Sequence, residues 1–355
     1  MKKMKAAIVY DRVNKWGGAE RVLLYLHKMF PDAPLYTSVY DEAKAPWAKV
    51  FPEIRTSFLQ NFPFAKSNHE FLAPLMPTAF ETFGFDEFDL VISVTSEAAK
   101  GIITKPHTKH ICYCLTPTRY LWSGYKEYFA NPLTRFLLNP IINYLRTWDK
   151  IAAQRPDEII AISTEVKERI KKYYGRDSET IFPPANSVSA SKRTQKGKYY
   201  LIVSRLVPYK KVDLVIKAFN RLDYPLVIAG EGRENDKLRF MSKNNIKFTG
   251  QVSEEKLANL YLGAKALIMP QEEDFGLVSI ESQASGVPVI AFKKGGAMDT
   301  VIDGKTGVFF NRQDMGSLIA AVKRFEKTGF VVDNLYTNAK RFSEQNFKKE
   351  FFKFI

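Results

Sequence analysis

The chain has 355 residues, of which 45% are hydrophobic and 26% are charged. This composition excludes extensive disorder, and the length favours two domains over a single core. The formal net charge of +15 implies acidic partners, such as a nucleotide substrate or an anionic membrane surface. Nucleic acid is the weakest of these expectations, because the chain has no arginine-rich tract, RNA-binding signature or zinc-finger spacing.

The location of the protein is predicted from its ends, its apolar stretches and its cysteines. The basic first residues are not followed by the apolar core or cleavage site of a signal peptide. The longest apolar stretch, residues 136–145, is too short and interrupted to span a bilayer. Cys112 and Cys114 lie in an apolar run and are expected to be small core residues in a reducing compartment. We therefore expect a cytoplasmic protein, with peripheral binding to the inner face of a membrane as a further option.

The first half of the chain alternates apolar strands with helices. Residues 5–11 are typical of a buried parallel strand, and Gly17 and Gly18 follow them before a helix. A strand, a Gly-Gly turn and a helix allow a phosphate to approach the backbone, so both glycines are candidate substrate-binding residues. The alternative is a tight turn without a ligand. Further strands are predicted at residues 34–40, 89–94, 109–115, 157–163 and 180–184.

The loop of residues 116–122 sets the cation of Arg119 beside aromatic rings, directly after a predicted strand. It could bind a sugar or an acceptor, and a structural corner is an equal alternative. Residues 120–155 are predicted to be helical and are rich in aromatic, leucine and basic residues. Such a region either packs into the domain as a long helix or lies at an anionic lipid interface.

A second alternation of strands and helices begins at residue 199, and two helices are expected to close the chain. The segment before it, residues 186–198, is rich in Ser, Lys, Asn and Thr and is the best linker candidate. The sequence thus predicts an α/β protein with two doubly wound, Rossmann-like domains facing each other across a cleft. The N-terminal domain would cover residues 1–185 and the C-terminal domain residues 199–342.

The most informative stretch carries two glutamates, Glu273 and Glu281. It runs Gln271-Glu-Glu-Asp-Phe-Gly-Leu-Val-Ser-Ile-Glu281, after a predicted strand at residues 266–269 and before the helix terminator Gly286-Val-Pro288. Gly276 marks the turn into a helix. The residues expected to be buried in that helix are Leu277, Val278, Ile280 and Ala284.

This stretch predicts a binding site for a nucleotide diphosphate-sugar. The free N–H groups at the helix start, around Gly276, Leu277 and Val278, and the positive end of the helix dipole favour a phosphate. A carboxylate on each side, from Glu273 and Glu281, can accept hydrogen bonds from the hydroxyls of two sugars.

A basic loop in the same predicted domain carries Arg205 and Lys210, five residues apart. Two cations fixed after a strand can neutralise a diphosphate leaving group. Alone, the pair would be ordinary surface charge. The helix start and the two glutamates nearby in the predicted fold favour the binding function.

Four motifs together resemble family 4 of the retaining glycosyltransferases, whose fold is GT-B. They are Gly17-Gly-Ala-Glu-Arg21, Ser204-Arg-Leu-Val-Pro-Tyr-Lys-Lys211, Glu273-Asp-Phe-Gly-Leu-Val-Ser-Ile-Glu281 and Gly295-Gly-Ala-Met-Asp-Thr-Val-Ile-Asp-Gly-Lys-Thr-Gly307. The resemblance covers nearly the whole chain, and the glutamate pair is its most specific part. Tyr113-Cys-Leu-Thr-Pro-Thr-Arg-Tyr-Leu-Trp122 is most similar to the branch that uses GDP-mannose to build polysaccharides or glycolipids.

The resemblance implies a catalytic set of Glu273, Arg205 and Lys210. In the family pattern the glutamate contacts the donor hexose, the two cations bind the diphosphate, and Glu281 holds the ribose. Further substrate contacts are implied for Gly17, Gly18, Arg119, Asp274, Phe275, Gly276, Leu277, Val278, Gly295 and Gly296. The family retains the configuration of the sugar, usually by a proposed front-face mechanism, and needs neither a metal nor a cofactor. Residues 343–355 resemble the segment that crosses back onto the N-terminal domain.

Two residues depart from the family pattern. Leu115 stands where many relatives carry a histidine that can contact the sugar, and leucine cannot donate a hydrogen bond. Asp299 stands where many relatives have a glutamate. The sequence therefore predicts first a mannosyltransferase that uses GDP-mannose and a glycan or lipid-linked acceptor. The alternatives are a transferase that uses a UDP-sugar, and a scaffold that binds sugar nucleotides without turnover.

Overall fold

The structure is a computed structural model that describes residues 4–67, 69–185 and 197–355, and its chain divides into two compact units. The N-terminal unit comprises Met1–Pro183 and Lys348–Ile355, and the C-terminal unit comprises Pro184–Phe347. Of the predicted linker at residues 186–198, only Gly197 and Lys198 lie within the described residues. The exact domain limits proposed from the sequence remain predictions.

The N-terminal unit is built on a seven-stranded sheet in which every neighbouring pair of strands is parallel. In the sheet the order is β3-β2-β1-β4-β5-β6-β7. Its strands are β1 (Ala6–Tyr10), β2 (Leu35–Thr37), β3 (Ile54–Thr56), β4 (Leu90–Thr95), β5 (Lys109–Cys114), β6 (Glu158–Ala161) and β7 (Glu179–Thr180). Its helices are α1 (Gly18–Met29), α2 (Met76–Glu81), α3 (Tyr125–Tyr128), α4 (Pro132–Ala152) and α5 (Thr164–Tyr174).

The C-terminal unit repeats this plan with six parallel strands in the order β10-β9-β8-β11-β12-β13. Its strands are β8 (Tyr199–Val203), β9 (Leu226–Ala229), β10 (Ile246–Gly250), β11 (Ala264–Met269), β12 (Val289–Phe292) and β13 (Gly307–Phe310). Its helices are α6 (Val212–Leu222), α7 (Asn235–Phe240), α8 (Glu254–Gly263), α9 (Leu277–Ala284), α10 (Ala297–Thr300), α11 (Met315–Lys327) and α12 (Val332–Lys340). A last helix, α13 (Glu344–Phe351), begins in this unit and ends in the segment assigned to the N-terminal unit.

The central strands β1, β4 and β5 are buried along nearly their whole length, as in parallel sheets that are covered on both faces. In β1, Ile8 is fully buried and lies opposite Leu35 of β2 and Ile92 of β4. In the C-terminal unit the two faces of the sheet bury separate clusters, one around Phe219 and the other around Tyr261. The predicted α/β class with two doubly wound domains is confirmed.

Three local predictions need correction or comment. Three helices, α11, α12 and α13, close the chain instead of two. The strand expected at residues 180–184 is only the two-residue β7, because Pro183 and Pro184 have no N–H group for a ladder hydrogen bond. Cys112 and Cys114 are buried free thiols, as expected, and burial raises the pKa of Cys112 to about 11.

Candidate functional site

The candidate site of the C-terminal unit lies where its strand order changes direction, at the neighbouring strands β8 and β11. Open α/β sheets bind ligands outside the carboxyl ends of their strands at this switch point. Lys210 follows β8 and Glu273 follows β11, so both belong to loops that leave the sheet at that edge. The topology therefore brings together two residues that are far apart in the sequence.

Lys210 and Glu273 form an ion pair, in which Lys210 Nζ donates to Glu273 Oε1. Gln271 also donates to Oε1 through Nε2, at 2.7 Å. The side chains of the pair are mostly shielded from water, so their attraction is screened less than that of a surface pair. Gln271 is buried, and sequence reasoning did not single it out as a partner of the glutamate.

Arg205 lies in the same loop as Lys210 but is exposed, and its Nη2 donates to the hydroxyl of Tyr209 at 2.5 Å. The ring of Tyr209 also lies below Lys210, whose Nζ is 5.1 Å from the ring centroid. Tyr209 thus contacts both predicted phosphate-binding cations. No contact between Tyr209 and these cations was predicted from the sequence.

The loop of Glu273 is held by the turn that contains Gly295 and Gly296. Gly296 N–H donates to Glu273 C=O at 2.8 Å, and Glu273 and Gly295 form a parallel bridge. Gly295 has φ of +64°, and a Cβ built there would lie 2.4 Å from the Glu273 carbonyl oxygen. At Gly296 a Cβ would lie 2.3 Å from the Cα of Phe275. Only glycine allows these two backbone segments to approach so closely.

The helix α9 begins at Gly276, whose φ of +90° is a left-handed conformation that favours glycine. The predicted phosphate-binding positions Leu277 and Val278 form its first turn, where N–H groups have no intrahelical acceptor. Asp274 is half-buried in the preceding loop. Phe275 is buried, and its ring centroid lies 5.6 Å from that of Phe342.

The buried face of α9 differs from the prediction. Leu277, Val278 and Ala284 are only half-buried, and Ile280 alone of the four expected core residues is fully buried. The inward residues are otherwise polar, namely Ser279, Glu281, Ser282 and Gln283.

These buried polar groups are tolerated because they have hydrogen-bond partners. Gln283 Nε2 donates to Thr300 C=O at 2.8 Å, and its Oε1 accepts from Asn338 Nδ2 at 2.7 Å. Ser282 Oγ donates to Val287 C=O at 2.9 Å, across the end of the helix. The partners on α10 and α12 could not be identified from the apolar pattern of α9.

Glu281 is buried in α9 and accepts a hydrogen bond from Tyr261 at 3.0 Å between Oη and Oε2. Tyr261 lies on α8 and is itself fully buried. No role in the site was predicted for Tyr261. Its hydroxyl in fact helps to hold the carboxylate that was predicted to bind ribose.

In the N-terminal unit, the predicted Gly17-Gly18 turn leads from β1 into α1, with Gly17 as the N-cap. A Cβ at Gly17 would lie 3.0 Å from Oε2 of Glu20, a buried carboxylate in the first turn of α1. The hydroxyl of Tyr10 donates to Glu20 Oε1 at 2.7 Å. Burial and the neighbouring Glu20 carboxylate raise the pKa of Tyr10 well above its ordinary value. A buried carboxylate thus lies directly beneath the turn.

The loop around Arg119 is fixed by Asp149 of α4, which is almost fully buried. Asp149 accepts from Thr118 Oγ1 at 3.0 Å and from Trp122 Nε1 at 2.7 Å. It also forms an ion pair of 2.5 Å with the buried Lys100. Arg119 is half-buried in this loop. The one acidic residue of α4 therefore holds the predicted sugar or acceptor loop in place.

Among residues 4–67, 69–185 and 197–355, no group of three or more His, Cys, Asp or Glu side chains could hold a metal ion. Within the same ranges, no helix combines the length and the apolar character needed to cross a bilayer.

The comparisons with known proteins agree with this architecture. Residues 186–346 match the family model described as glycosyl transferases group 1. An uncharacterized glycosyltransferase of Methanocaldococcus jannaschii is 28% identical over 207 residues, which are 56% of this chain and 58% of that protein. A GDP-mannose-dependent alpha-(1-6)-phosphatidylinositol monomannoside mannosyltransferase of Mycolicibacterium smegmatis is 34% identical over 138 residues, or 34% of this chain and 36% of that protein. The chain spans less than two thirds of each of these relatives.

Similarity to a solved structure extends over the whole chain. The crystal structure of Anabaena Alr3699/HepE in complex with UDP has a TM-score of 0.72 and 19% identity, and the match covers 99% of both chains. A further structure of that protein contains UDP-glucose. The C-terminal unit therefore carries the sequence pattern of glycosyl transferases group 1, and the chain has the GT-B fold of two Rossmann-like domains.

Proposed function

We propose that the chain is a retaining, metal-independent glycosyltransferase of family 4 that takes a hexose from a nucleotide diphosphate-sugar. The observation that carries the proposal is the Lys210–Glu273 ion pair at the switch point of the C-terminal sheet. A cation and a carboxylate at the carboxyl edge, next to a helix start, match the two chemical parts of such a donor.

The ion pair can exchange partners when the donor binds. A diphosphate carries more negative charge than a carboxylate, so it would attract Lys210 away from Glu273. Glu273 would then accept hydrogen bonds from hexose hydroxyls, while Gln271 keeps its carboxylate oriented. Lys210, Arg205 and the N–H groups of Leu277 and Val278 would stabilise the charge on the departing diphosphate. These groups offer the positive charge that a metal ion supplies in other transferases.

The nucleoside end would be recognised by Glu281. Its carboxylate is oriented by the hydroxyl of Tyr261 and can accept from the ribose hydroxyls. Because the carboxylate is already fixed before the donor binds, little conformational entropy is lost on binding.

GDP-mannose is our first choice of donor, with a polysaccharide or a lipid-linked glycan as acceptor. The mycobacterial relative that is named for GDP-mannose supports this choice. A UDP-sugar is the second choice, supported by the UDP and UDP-glucose complexes of the Anabaena protein. Leu115, in place of a histidine, motivates a third candidate, a protein that binds the donor without turnover.

The decisive experiment compares Glu273→Gln with Glu326→Gln. Glu326 is a matched control, because it pairs with Lys265 at 2.6 Å in the same unit, near the amino ends of the strands. We expect Glu273→Gln to lower the transfer rate about a hundredfold or more, as for loss of one preorganised polar group. Glu326→Gln should retain the wild-type rate. Wild-type activity of Glu273→Gln would contradict the proposed site.

The donor is identified by a panel of sugar nucleotides, read both as hydrolysis and as a shift in melting temperature. The correct nucleotide raises the melting temperature, because it binds the native protein and not the unfolded chain. A thermal shift with GDP and turnover of GDP-mannose would support the first choice, whereas the same results with UDP and a UDP-sugar would support the second. A thermal shift without turnover of any donor, with acceptor mixtures included, would favour the binding protein.

A further inference from the structure

Two tryptophan rings lie beside the Gly17-Gly18 turn of the N-terminal unit. Trp16 directly precedes Gly17, and Trp47 belongs to a short 3-10 helix, Pro46–Val50. The centroids of the two rings are 5.9 Å apart, and the ring planes make an angle of 55°. We call these two residues the tryptophan pair. Trp16 is 45% exposed and Trp47 is half-buried, so water reaches both side chains.

The backbone that carries Trp16 is held by contacts that do not involve its ring. Asn14 Nδ2 donates to Lys66 C=O at 3.0 Å, and Trp47 Nε1 donates to Lys15 C=O at 2.7 Å. These hydrogen bonds fix the residues just before Trp16 and leave its large side chain exposed. An aromatic ring on an ordered loop offers a flat apolar surface to a ligand, at little cost in conformational entropy.

The tryptophan pair lies at the same edge of the sheet as the loop around Arg119. Trp16 is in the loop after β1, Arg119 is in the loop after β5, and β4 lies between these two parallel strands. Glu97, in the loop after β4, connects the other two loops. It forms an ion pair of 2.5 Å with Arg12, and its C=O accepts from Thr118 Oγ1 at 3.3 Å. Open α/β sheets bind their ligands at this edge.

The geometry of the tryptophan pair suits a pyranose ring. The faces of a pyranose expose C–H groups that stack on an aromatic face, and its hydroxyls project from the rim. Two aromatic rings inclined at 55° can border such a sugar on two sides. The adjacent turn supplies polar partners, because the N–H groups of Gly18 and Ala19 in the first turn of α1 have no intrahelical acceptor. They can donate to the hydroxyl oxygens of the sugar.

We propose that the tryptophan pair is a subsite that binds a pyranose ring of the glycan acceptor, with the Gly17-Gly18 turn at the rim of the sugar. The assignment to the acceptor rests on the proposed function, in which the donor residues belong to the C-terminal unit. Binding of the sugar itself requires neither the donor nor the transfer reaction. An acyl chain is a poorer occupant, because it has no group that could accept from the N–H groups of the turn.

The test follows the indole N–H resonances of the isotope-labelled full chain by NMR, which has four tryptophans to assign. The ligands are the methyl glycosides of mannose, glucose, galactose and N-acetylglucosamine, with sorbitol as a polyol that lacks a ring face. We expect saturable shifts of the Trp16 and Trp47 resonances with at least one glycoside and none with sorbitol. Trp148, whose Nε1 already donates to Glu81 Oε1 at 2.7 Å, serves as the internal reference.

Three variants assign the binding to the Trp16 ring. Trp16→Ala should raise the Kd of the glycoside about tenfold, as for loss of one stacking contact, and Trp16→Phe should restore most of the affinity. Phe240→Ala is the matched control, because Phe240 is a 94% exposed phenylalanine on α7 of the other unit. It should bind the glycoside like the wild type. All three variants should unfold at the wild-type temperature, since the hydrogen bonds of the loop do not use the Trp16 ring.

Three results would overturn the proposal. The first is that no glycoside shifts the Trp16 resonance, and the second is an equal Kd for Trp16→Ala and Phe240→Ala. The third is a shift with decyl phosphate and with none of the glycosides, which would assign the tryptophan pair to a lipid chain. Failure of the donor site gives a different result. If Glu273→Gln transfers sugar at the wild-type rate while glycosides still bind at Trp16, the proposed donor site is wrong and the sugar subsite stands.

Discussion

At the scale of single residues, the proposed donor site depends on how its two carboxylates are held. Glu273 has Lys210 and Gln271 as partners, and Glu281 has Tyr261. A ligand can replace Lys210 as the partner of Glu273, whereas the buried hydroxyl of Tyr261 keeps the Glu281 carboxylate in place. In the proposed function, Glu273 changes its partner when the donor binds, and Glu281 stays fixed.

The Tyr261→Phe variant tests the fixed carboxylate. It removes one donor to a buried group, so we expect a loss of about 1–3 kcal/mol in the free energy of unfolding. The KM for the donor should rise several-fold, because Glu281 is no longer oriented, while kcat changes less. Tyr199→Phe is the control, since the Tyr199 hydroxyl donates to Leu260 C=O at 2.9 Å on the same helix, α8. An equal change of KM in both variants would show that Tyr261 has only a structural role.

A second residue-scale prediction concerns pH and His110, which is fully buried in β5. Burial, with the nearby Arg155 cation, lowers the pKa of His110 from 6.5 to about 3. The unfolded chain therefore binds a proton that the folded chain does not bind between these values, and stability falls as the pH drops below 6.5. The expected slope from this group is about 1.4 kcal/mol per pH unit.

Urea unfolding at neutral and mildly acidic pH measures this effect in His110→Gln. Glutamine does not titrate and can keep the hydrogen bond to Ser93, whose Oγ lies 2.8 Å from His110 Nε2. The variant should lose less stability than the wild type on acidification. His107→Gln, at an exposed histidine, should behave as the wild type does. The same pH dependence in wild type and His110→Gln would rule out His110 as the source.

At the scale of elements, the short turn before α10 decides where the Glu273 loop lies. The loop and the turn are joined by one backbone hydrogen bond and by close approach at both glycines. The Gly-Gly pair was predicted to contact the substrate, and that role is still a prediction. The structure adds a mechanical role that does not require a ligand.

Gly296→Ala tests this mechanical role. Its Cβ would lie 2.3 Å from the Phe275 backbone, so the loop must move, at a cost of about 1–3 kcal/mol. We expect lower thermal stability and weaker donor binding, measured by calorimetric titration. Gly329→Ala is the control, because nothing lies within 4 Å of its added Cβ. If both variants bind the donor equally well, the glycine contact does not position the site.

The helix α9 shows why some element-scale predictions failed. Its start at Gly276 and its end near Gly286 follow from glycine, whose conformation is a local property. The buried face of α9 does not follow from the local sequence pattern. Ser282 and Gln283 can be buried because other segments of the chain supply their hydrogen-bond partners. Asn338, one of those partners, is 55 residues away in the sequence. No periodicity in α9 contains that information.

At the scale of the whole molecule, two sheets with the same plan carry different residues in the loops at their carboxyl edges. The C-terminal unit places a cation and a carboxylate at its switch point, while the N-terminal unit places the Gly17-Gly18 turn after β1 and the Arg119 loop after β5. The tryptophan pair lies in the same N-terminal unit. In the proposed function, the C-terminal unit binds the donor and the N-terminal unit meets the acceptor.

The sequence by itself determined the alternation of strands and helices in both halves of the chain, the glycine turns, the excess of positive charge and the motif with Glu273 and Glu281. These properties follow from neighbouring residues, whose periodicity and backbone preferences act over a few positions. Only the tertiary structure decided which side chains pair with each other. Lys210 reaches Glu273 across 63 residues, because β8 and β11 are adjacent in the sheet. It also decided which side of α4 remains exposed, since Ile142 and Leu145 pack inward against Leu121.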